Sequence, residues 1–326
     1  MSILDAAIMV GVESTYGTPA TLTRAYEGKA DAFKREQARL ESVGFRAGME
    51  TLRSDRVVTV PMGGSASLEL DVMTNGMGLL FGGLLGGAIS PALQDTTAYL
   101  QTYTSTAAAP TDSYTFQILR PELESGTQAY TYHGGKIVSW GVSQSNDGLL
   151  VMTLDYDFED SDVSTGAGTP SYIASQTPFD WSQCTATIDV DGSPTVLNAI
   201  DVKFDADLAM KTDRRYLRAS ALKKEPVRTG IPEYSGEVTI DLEDTVRYAE
   251  WVAGTVVDLE LKWQGALIES TYYYEFAIRM QACQWTDGNP EASLSDTSVV
   301  TLPFRALDDG TNAAVVVTYQ NTDSAI

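Results

Sequence analysis

A chain of 326 residues with 43% hydrophobic content is long enough to bury sizeable cores, which excludes a disordered polypeptide. Its formal net charge of −22, from 44 acidic against 22 basic side chains, argues against a protein that clamps a nucleic-acid backbone through clustered lysine and arginine. Two distant cysteines, Cys184 and Cys283, in no CxxC arrangement, exclude a disulfide scaffold and read as small packed hydrophobes.

In chain order, MSILDAAIMVGVE carries Asp5 and no basic start, so it reads as a poor signal peptide. GVESTYGTPATLTRAYE (11–27) follows, with Gly17 as a chain break and Thr18–Pro19 as an extended exit. A polar arm rich in basic residues comes next. SASLELDV (65–72) then alternates Ala66, Leu68, Leu70 and Val72 against Ser65, Ser67, Glu69 and Asp71, which predicts a half-buried strand. Residues 75–86 place Met77, Leu80, Phe81, Leu84 and Leu85 at helical spacing and predict a core-facing helix. The run GLLFGGLLGGAI (78–89) is too short and glycine-rich to cross a membrane.

A tyrosine-rich run, AYTYHGGKIVSW, leads to VMTLDYDFED (151–160), whose Met152, Leu154, Tyr156 and Phe158 oppose Thr153, Asp155, Asp157 and Glu159. SDVSTGAGTPS (161–171) has linker composition. DVDG (189–192) reads as a strand–turn–strand corner, since Ser193–Pro194–Thr195 does not continue a calcium loop. NAIDVKFDADL (198–208) sets Ile200, Val202, Phe204, Ala206 and Leu208 against Asp201, Lys203, Asp205 and Asp207. A second basic arm precedes GEVTIDLED (236–244), where Val238, Ile240 and Leu242 oppose Glu237, Thr239 and Asp241. Residues 245–253 predict a second core-facing helix through Val246, Ala249, Val252 and Ala253. STYYYEFAIRMQACQW and SVVTLPFRAL close the pattern with paired strands.

The order strand, arm, strand, helix, tyrosine-rich run, paired strands thus occurs twice. It predicts a mainly β protein of two tandem domains, 1–165 and 166–326, each with a flanking α-helix and a long arm loop. The two parts hold 20 acidic and 10 basic, and 24 acidic and 12 basic residues. Eight of the first ten bases fall within 24–56 and eight of the other twelve within 203–228. Each part therefore extends a positive arm from a negative body, a charge layout suited to head-to-tail association.

No catalytic constellation accompanies this pattern. His133 is the single histidine, so a Ser–His–Asp or Cys–His site has no choice of base, and no nucleophile motif surrounds it. Three scattered His and Cys residues supply no zinc site, and no cofactor motif is present, so neither metal nor cofactor is expected. The pair Asp155/Asp157 could be read as glycosidase acids, but acids alternating along one strand face more simply make a solvated or lumenal surface.

With these features together, the chain resembles the major tail tube proteins of long, non-contractile-tailed phages. Glu13, Thr15, Tyr16, Gly17, Thr18 and Pro19 match the amino-terminal run of that family, and NAIDVKFDADL, the basic arm and SGEVTIDLED resemble its strand–arm–strand–helix core. The resemblance implies tube-type β-sandwich or barrel domains and a structural, non-enzymatic virion protein. A duplicated chain would form trimeric rings of pseudo-sixfold symmetry, stacked into the conduit for DNA ejection. The partners implied are the tape measure, tail terminator and distal tail proteins, with double-stranded DNA passing through without specific binding and no membrane insertion. The location implied is the virion tail, assembled in the host cytoplasm.

The family's ring-stacking loop falls on Gly44–Arg56 and Met210–Ile231. It nominates Arg46, Arg53, Arg56, Lys211, Arg214, Arg215, Arg218, Lys223, Lys224 and Arg228 as stacking residues. The family's acidic lumen nominates Glu69, Asp71, Asp155, Asp157, Asp201, Asp205, Asp207, Glu237 and Asp241. The alternative reading is a non-catalytic carbohydrate-binding or adhesin-like β-sandwich virion protein, with Tyr130, Tyr132, Trp140, Tyr272, Tyr273, Tyr274 and Trp285 as a sugar platform.

Overall fold

The structure is a computed structural model that describes residues 5–44, 46–87, 90–123, 126–163, 166–190, 192–218, 220–290 and 298–326. Ala88 and Ile89 of the predicted apolar run, Ser164 and Thr165 of the linker and Asp191 of the corner lie outside them. The protein is mainly β, and every strand pairing among the described residues is antiparallel.

Along the first part run β1 (Ala7–Val12), β2 (Arg24–Tyr26), β3 (Lys34–Glu41), β4 (Val57–Asp71), α1 (Gly78–Phe81), β5 (Ala92–Leu93), β6 (Tyr99–Thr104), β7 (Tyr114–Glu122), β8 (Gly126–Ser145), β9 (Val151–Phe158) and β10 (Asp160–Asp162). The remainder holds β11 (Cys184–Val190), β12 (Ser193–Leu197), β13 (Ala199–Asp207), β14 (Met210–Lys211), β15 (Val227–Arg228), β16 (Glu233–Asp241), α2 (Val246–Ala253), β17 (Val257–Glu269), β18 (Tyr272–Trp285), β19 (Val299–Ala306) and β20 (Val316–Asn321).

In the first part β1 pairs with β2 and β7, β7 with β8, β8 with β9 and β10, β9 with β4, and β4 with β3. In the second, β11 pairs with β12 and β17, β17 with β18, β18 with β19 and β20, β19 with β16, and β16 with β13. The parts are then joined edge to edge. β8 pairs with β13 from Ser139↔Asp207 to Ser145↔Asp201, and β6 pairs with β20. The outcome is one continuous sheet system and one main hydrophobic core that runs through both parts.

The alternating strands place their apolar faces inward. Leu68, Leu70, Met152, Leu154, Val202, Phe204, Val238, Ile240, Leu302 and Phe304 are all buried, while their sequence neighbours are at least partly exposed. Leu242 departs from this, because it lies past the end of β16 and is exposed. Cys184 and Cys283 are free thiols, and burial pushes both up to about 12, so they behave as packed apolar groups.

The opening motif folds into a tight polar hub. The buried Glu13 carboxylate accepts from Gly17 N at 2.9 Å, Thr115 Oγ1 at 2.8 Å and Gly134 N at 2.7 Å. It thereby ties the turn after β1 to β7 and β8. Gly17 sits at φ 77°, in the left-handed region that favours glycine.

Both predicted helices need correction. The helix expected over 75–86 is a single turn at Gly78–Phe81, followed by turns. Its glycines serve close approach: a Cβ on Gly86 would lie 2.1 Å from Ala108 O. The segment is nonetheless buried as expected, with Met77, Leu80, Phe81, Leu84 and Leu85 almost fully enclosed. The second helix forms where expected, but its predicted core stripe faces outward. Val246 and Val252 are 45% and 64% exposed, and Ala249 and Ala253 are exposed too. The inward face instead carries Arg247, Glu250 and Trp251. Glu250 accepts from Arg247 Nη1 at 2.7 Å and from Trp285 Nε1 at 3.1 Å. That polar anchor orients the helix, and the apolar stripe is left toward solvent.

Candidate functional site

Strands β3, β4, β9, β8, β13, β16 and β19 follow one another in a continuous hydrogen-bonded order. Because side chains alternate along each strand, the face opposite the core is shared across the join between the parts. Asp155 of β9 stands beside Ser67 on one neighbour and Ser139 on the other. Ser139 faces Asp207 across the join, Gly141 faces Asp205, and Ser145 faces Asp201. Lys203 faces Glu237 on β16. The register thus brings Glu69, Asp71, Asp155, Asp157, Asp201, Asp205, Asp207, Glu237 and Asp241 to one side of one sheet. Shallow depressions of about 290 and 580 Å³ mark this face, one around Ser139, Asp155 and Asp205 and the other around Asp71, Asp201 and Glu237.

The acids on it differ in exposure and in partner. Asp201, Asp207, Glu237 and Asp241 are exposed on the β13–β16 side of the face. Others are held by cations of the same chain: Lys29 Nζ lies 2.9 Å from Asp71, and Lys203 Nζ lies 2.7 Å from Asp205. Asp155 accepts from Ser139 Oγ at 2.8 Å. Arg305 of β19 lies 3.6 Å from Glu233, and Thr239 and Thr301 share a hydrogen bond of 3.1 Å. The face is therefore acidic but graded, with neutral hydroxyls and a few cations between the carboxylates.

Asp157 is different. It pairs with Lys223, and both side chains are largely buried. Burial outweighs the lysine and pushes the Asp157 carboxyl up to about 6. A folded-state value above the unfolded one means this group favours the fold most below about pH 4, and that contribution fades as pH rises through about 6. Lys223→Ala is expected to cost about 1.5 kcal/mol at pH 7, because the abandoned carboxylate escapes by protonating, at about 1.4 kcal/mol per pH unit above 6. The cost is expected to shrink at pH 5, where the carboxyl is already protonated. Denaturant titrations of the variant and the parent at the two pH values measure it.

The cations of the second arm are largely spent on their own chain. Besides Lys223, Arg215 Nη2 donates to Met62 O at 2.6 Å, and Arg228 Nη1 donates to Thr106 O at 2.6 Å and Ala108 O at 3.0 Å. Glu225 of the arm meets the buried Lys136 at 2.8 Å. Arg214 and Arg218 donate to carbonyls within the arm, Glu225 O at 2.5 Å and Leu222 O at 2.7 Å. Lys211 and Lys224 are exposed. The arm therefore lies back across the first part of the chain. The first arm is a β3–β4 hairpin whose Arg46 and Arg56 are exposed, while Arg53 pairs with Asp55. Both arms display apolar side chains, among them Val43 at 85% and Leu217 at 109% exposure. Sequence pattern alone could not have found the role of Lys223 or Lys136, since nothing local distinguishes a solvated lysine from one buried against a distant strand.

The aromatic residues nominated as a sugar platform divide by exposure: Tyr272, Tyr273 and Tyr274 at the start of β18 are at least partly exposed. Tyr132, Trp140 and Trp285 are buried, and Trp140 Nε1 donates to Leu84 O at 3.1 Å. Tyr130 stacks on the Arg120 guanidinium at 4.5 Å. His133 Nδ1 lies 4.0 Å from Glu159.

Residues 4–306 match the family model described as phage tail tube protein. The chain belongs to the phage tail tube protein family. No curated protein matches the chain. The match spans both parts and both arms, so the acidic sheet face and the hub around Glu13 lie within the tube protein as that family defines it. Membership assigns a structural role in the virion tail.

Proposed function

We propose that this tail tube protein is the major subunit of the tube, that it contains the tube domain twice, at 1–165 and 166–326, and that three copies close a ring of pseudo-sixfold symmetry. The correspondence of strand pairings between the two parts supports the duplication. Stacked rings form a conduit whose wall is the continuous acidic face, and double-stranded DNA passes along it during ejection into the host. The observation that carries this reading is the sheet that runs unbroken across the join with all nine nominated acids on one side. A wall of the same sign as the phosphate backbone repels it, and so the duplex slides rather than sticks.

In this reading the first arm, with Arg46, Arg53 and Arg56, and the exposed Lys211 and Lys224 of the second arm reach the neighbouring ring. Arg214, Arg215, Arg218, Lys223 and Arg228 brace the second arm so that it is already shaped for that contact. The tube's ends meet the tape measure, terminator and distal tail proteins, and assembly takes place in the host cytoplasm. The protein performs no chemistry.

Negative-stain electron microscopy of the purified protein is the test. Hollow rings or tubes with threefold or pseudo-sixfold end views are expected, and a species that stays monomeric under all assembly conditions overturns the reading. Charge reversal of the wall extends it. A chain carrying Asp201→Lys, Asp207→Lys and Glu237→Lys is expected to assemble but to retain duplex DNA at low salt and release it as salt rises, whereas parent tubes retain none. Equal DNA retention by both would remove the lumenal assignment of this face.

A further inference from the structure

The exposed apolar stripe of α2 has a counterpart whose partner is visible. α1 occupies the matching position in the first part, between β4 and β7, and it is fully buried. The first part supplies some of its cover through Tyr103 and Tyr114, and the other part of the same chain supplies the rest. Phe81 packs against Phe276 of β18 at 5.5 Å and Tyr319 of β20 at 5.1 Å. The surrounding loop is bonded to the same region: Tyr319 Oη donates to Met73 O at 2.8 Å, and Gly76 N donates to Asp323 at 2.6 Å.

The register locates the equivalent seat on the first part. Ile8 opposes Ile118, which opposes Tyr130, as Ala186 opposes Leu261, which opposes Ile278. Two residues further along, Arg120 opposes Gln128 where Trp263 opposes Phe276. The seat that Phe81 fills in the second part therefore corresponds, in the first, to β8 around Gln128, beside Arg120 of β7. Next to that place, along β7 and β1, the chain has an open groove of about 630 Å³ lined by Ile8, Tyr26, Ala30, Ile118, Leu119 and Arg120. One helix is seated with its partner inside the chain. The other helix and the other seat are both unfilled, and a single chain cannot bring them together through the contact that joins its own two parts.

We infer that the exposed face of α2 (Val246, Ala249, Val252 and Ala253) docks into the Ile8–Ile118–Arg120 groove of a second copy of this chain, repeating between subunits the contact that α1 makes within one. This rests on the ring reading above and names its interface. The contact is heterologous, one patch meeting a different one, so each copy offers one helix and one groove, and the chain of contacts ends only when a ring closes. Burying the stripe removes exposed valines from water, which a subunit without a neighbour leaves exposed.

The test uses two full-length variants, each crippled on one patch. Val252→Asp places a charge on the α2 stripe, and Ala30→Trp fills the mouth of the groove. Light scattering is expected to show each variant alone as a single chain under conditions where the parent forms rings or tubes. Mixed in equal amounts, they are expected to give a species of two chains and nothing larger, because one intact helix still meets one intact groove. That two-chain species also demonstrates that both variants are folded. Parent-like rings from either variant alone would overturn the docking while leaving the tube reading intact. Two single-chain variants that do not combine would show that the patches are not each other's partners, and would also overturn it. A parent that never assembles would remove the tube reading and this inference together.

Discussion

Phe81→Ala is expected to lower the unfolding free energy by about 4 kcal/mol, in the range for a buried phenylalanine whose cavity does not collapse. The ring is fully enclosed between α1, β6, β18 and β20, with Tyr103, Phe276 and Tyr319 all within 5.8 Å of it, centroid to centroid. Aromatic neighbours on three sides leave little that can shift into the space. The residue also joins the two parts of the chain, so its loss is expected to weaken their coupling and not only one core. Calorimetry of the variant should show a lower and broader transition, with separate unfolding of the two parts as its limit. A variant with parent-like stability would show that the joint depends on the β8–β13 and β6–β20 pairings alone.

Glu13→Ala is expected to cost about as much, for an electrostatic reason. The carboxylate accepts from two backbone N–H groups and one hydroxyl in a site with 7% exposure. Alanine abandons all three donors, and each buried unpaired donor costs about 1–3 kcal/mol, so a total near 4 kcal/mol is expected. Glu13→Gln keeps one acceptor oxygen and replaces the other with a donor that faces donors. It is expected to recover only part of the loss. Urea unfolding of the three proteins measures the ordering parent, Gln, Ala. If Ala and Gln were equal to the parent, the hub would be incidental and Gly17, Thr18 and Pro19 alone would define the turn.

Periodicity made most of the strands legible. β4, β9, β13 and β16 alternate as their residues predict, because a half-buried strand must separate apolar from polar side chains with a period of two. The run Glu13 to Pro19 was also readable as a patterned unit, since its glycine and proline have local conformational meaning. The nominated acids likewise fall on the polar sides that alternation assigns to them.

What lay beyond the local pattern was decided by contacts between distant residues. The α2 helix was visible, but its buried side was not. Two stripes compete on it, and the Glu250 bond to Trp285, 35 positions away, selects the one with Arg247 and Trp251. The α1 segment looked like a longer helix, yet close approach to Ala108 and Tyr114 required glycines that end it after one turn. Lys223 was nominated as a stacking residue of the arm, and the fold buries it against Asp157. Above all, alternation assigns each acid to a polar strand face but cannot say that those faces are the same face. Only the β8–β13 pairing, which sets Ser139 against Asp207 across the join, merges them into one face. The amino-acid sequence by itself therefore determined the β character of this protein and its acidic strand faces, both properties of neighbouring residues. The tertiary structure decided which faces meet, which cations are used internally and which apolar stripe stays exposed, because each depends on the energy of contacts that the chain makes only once it is folded.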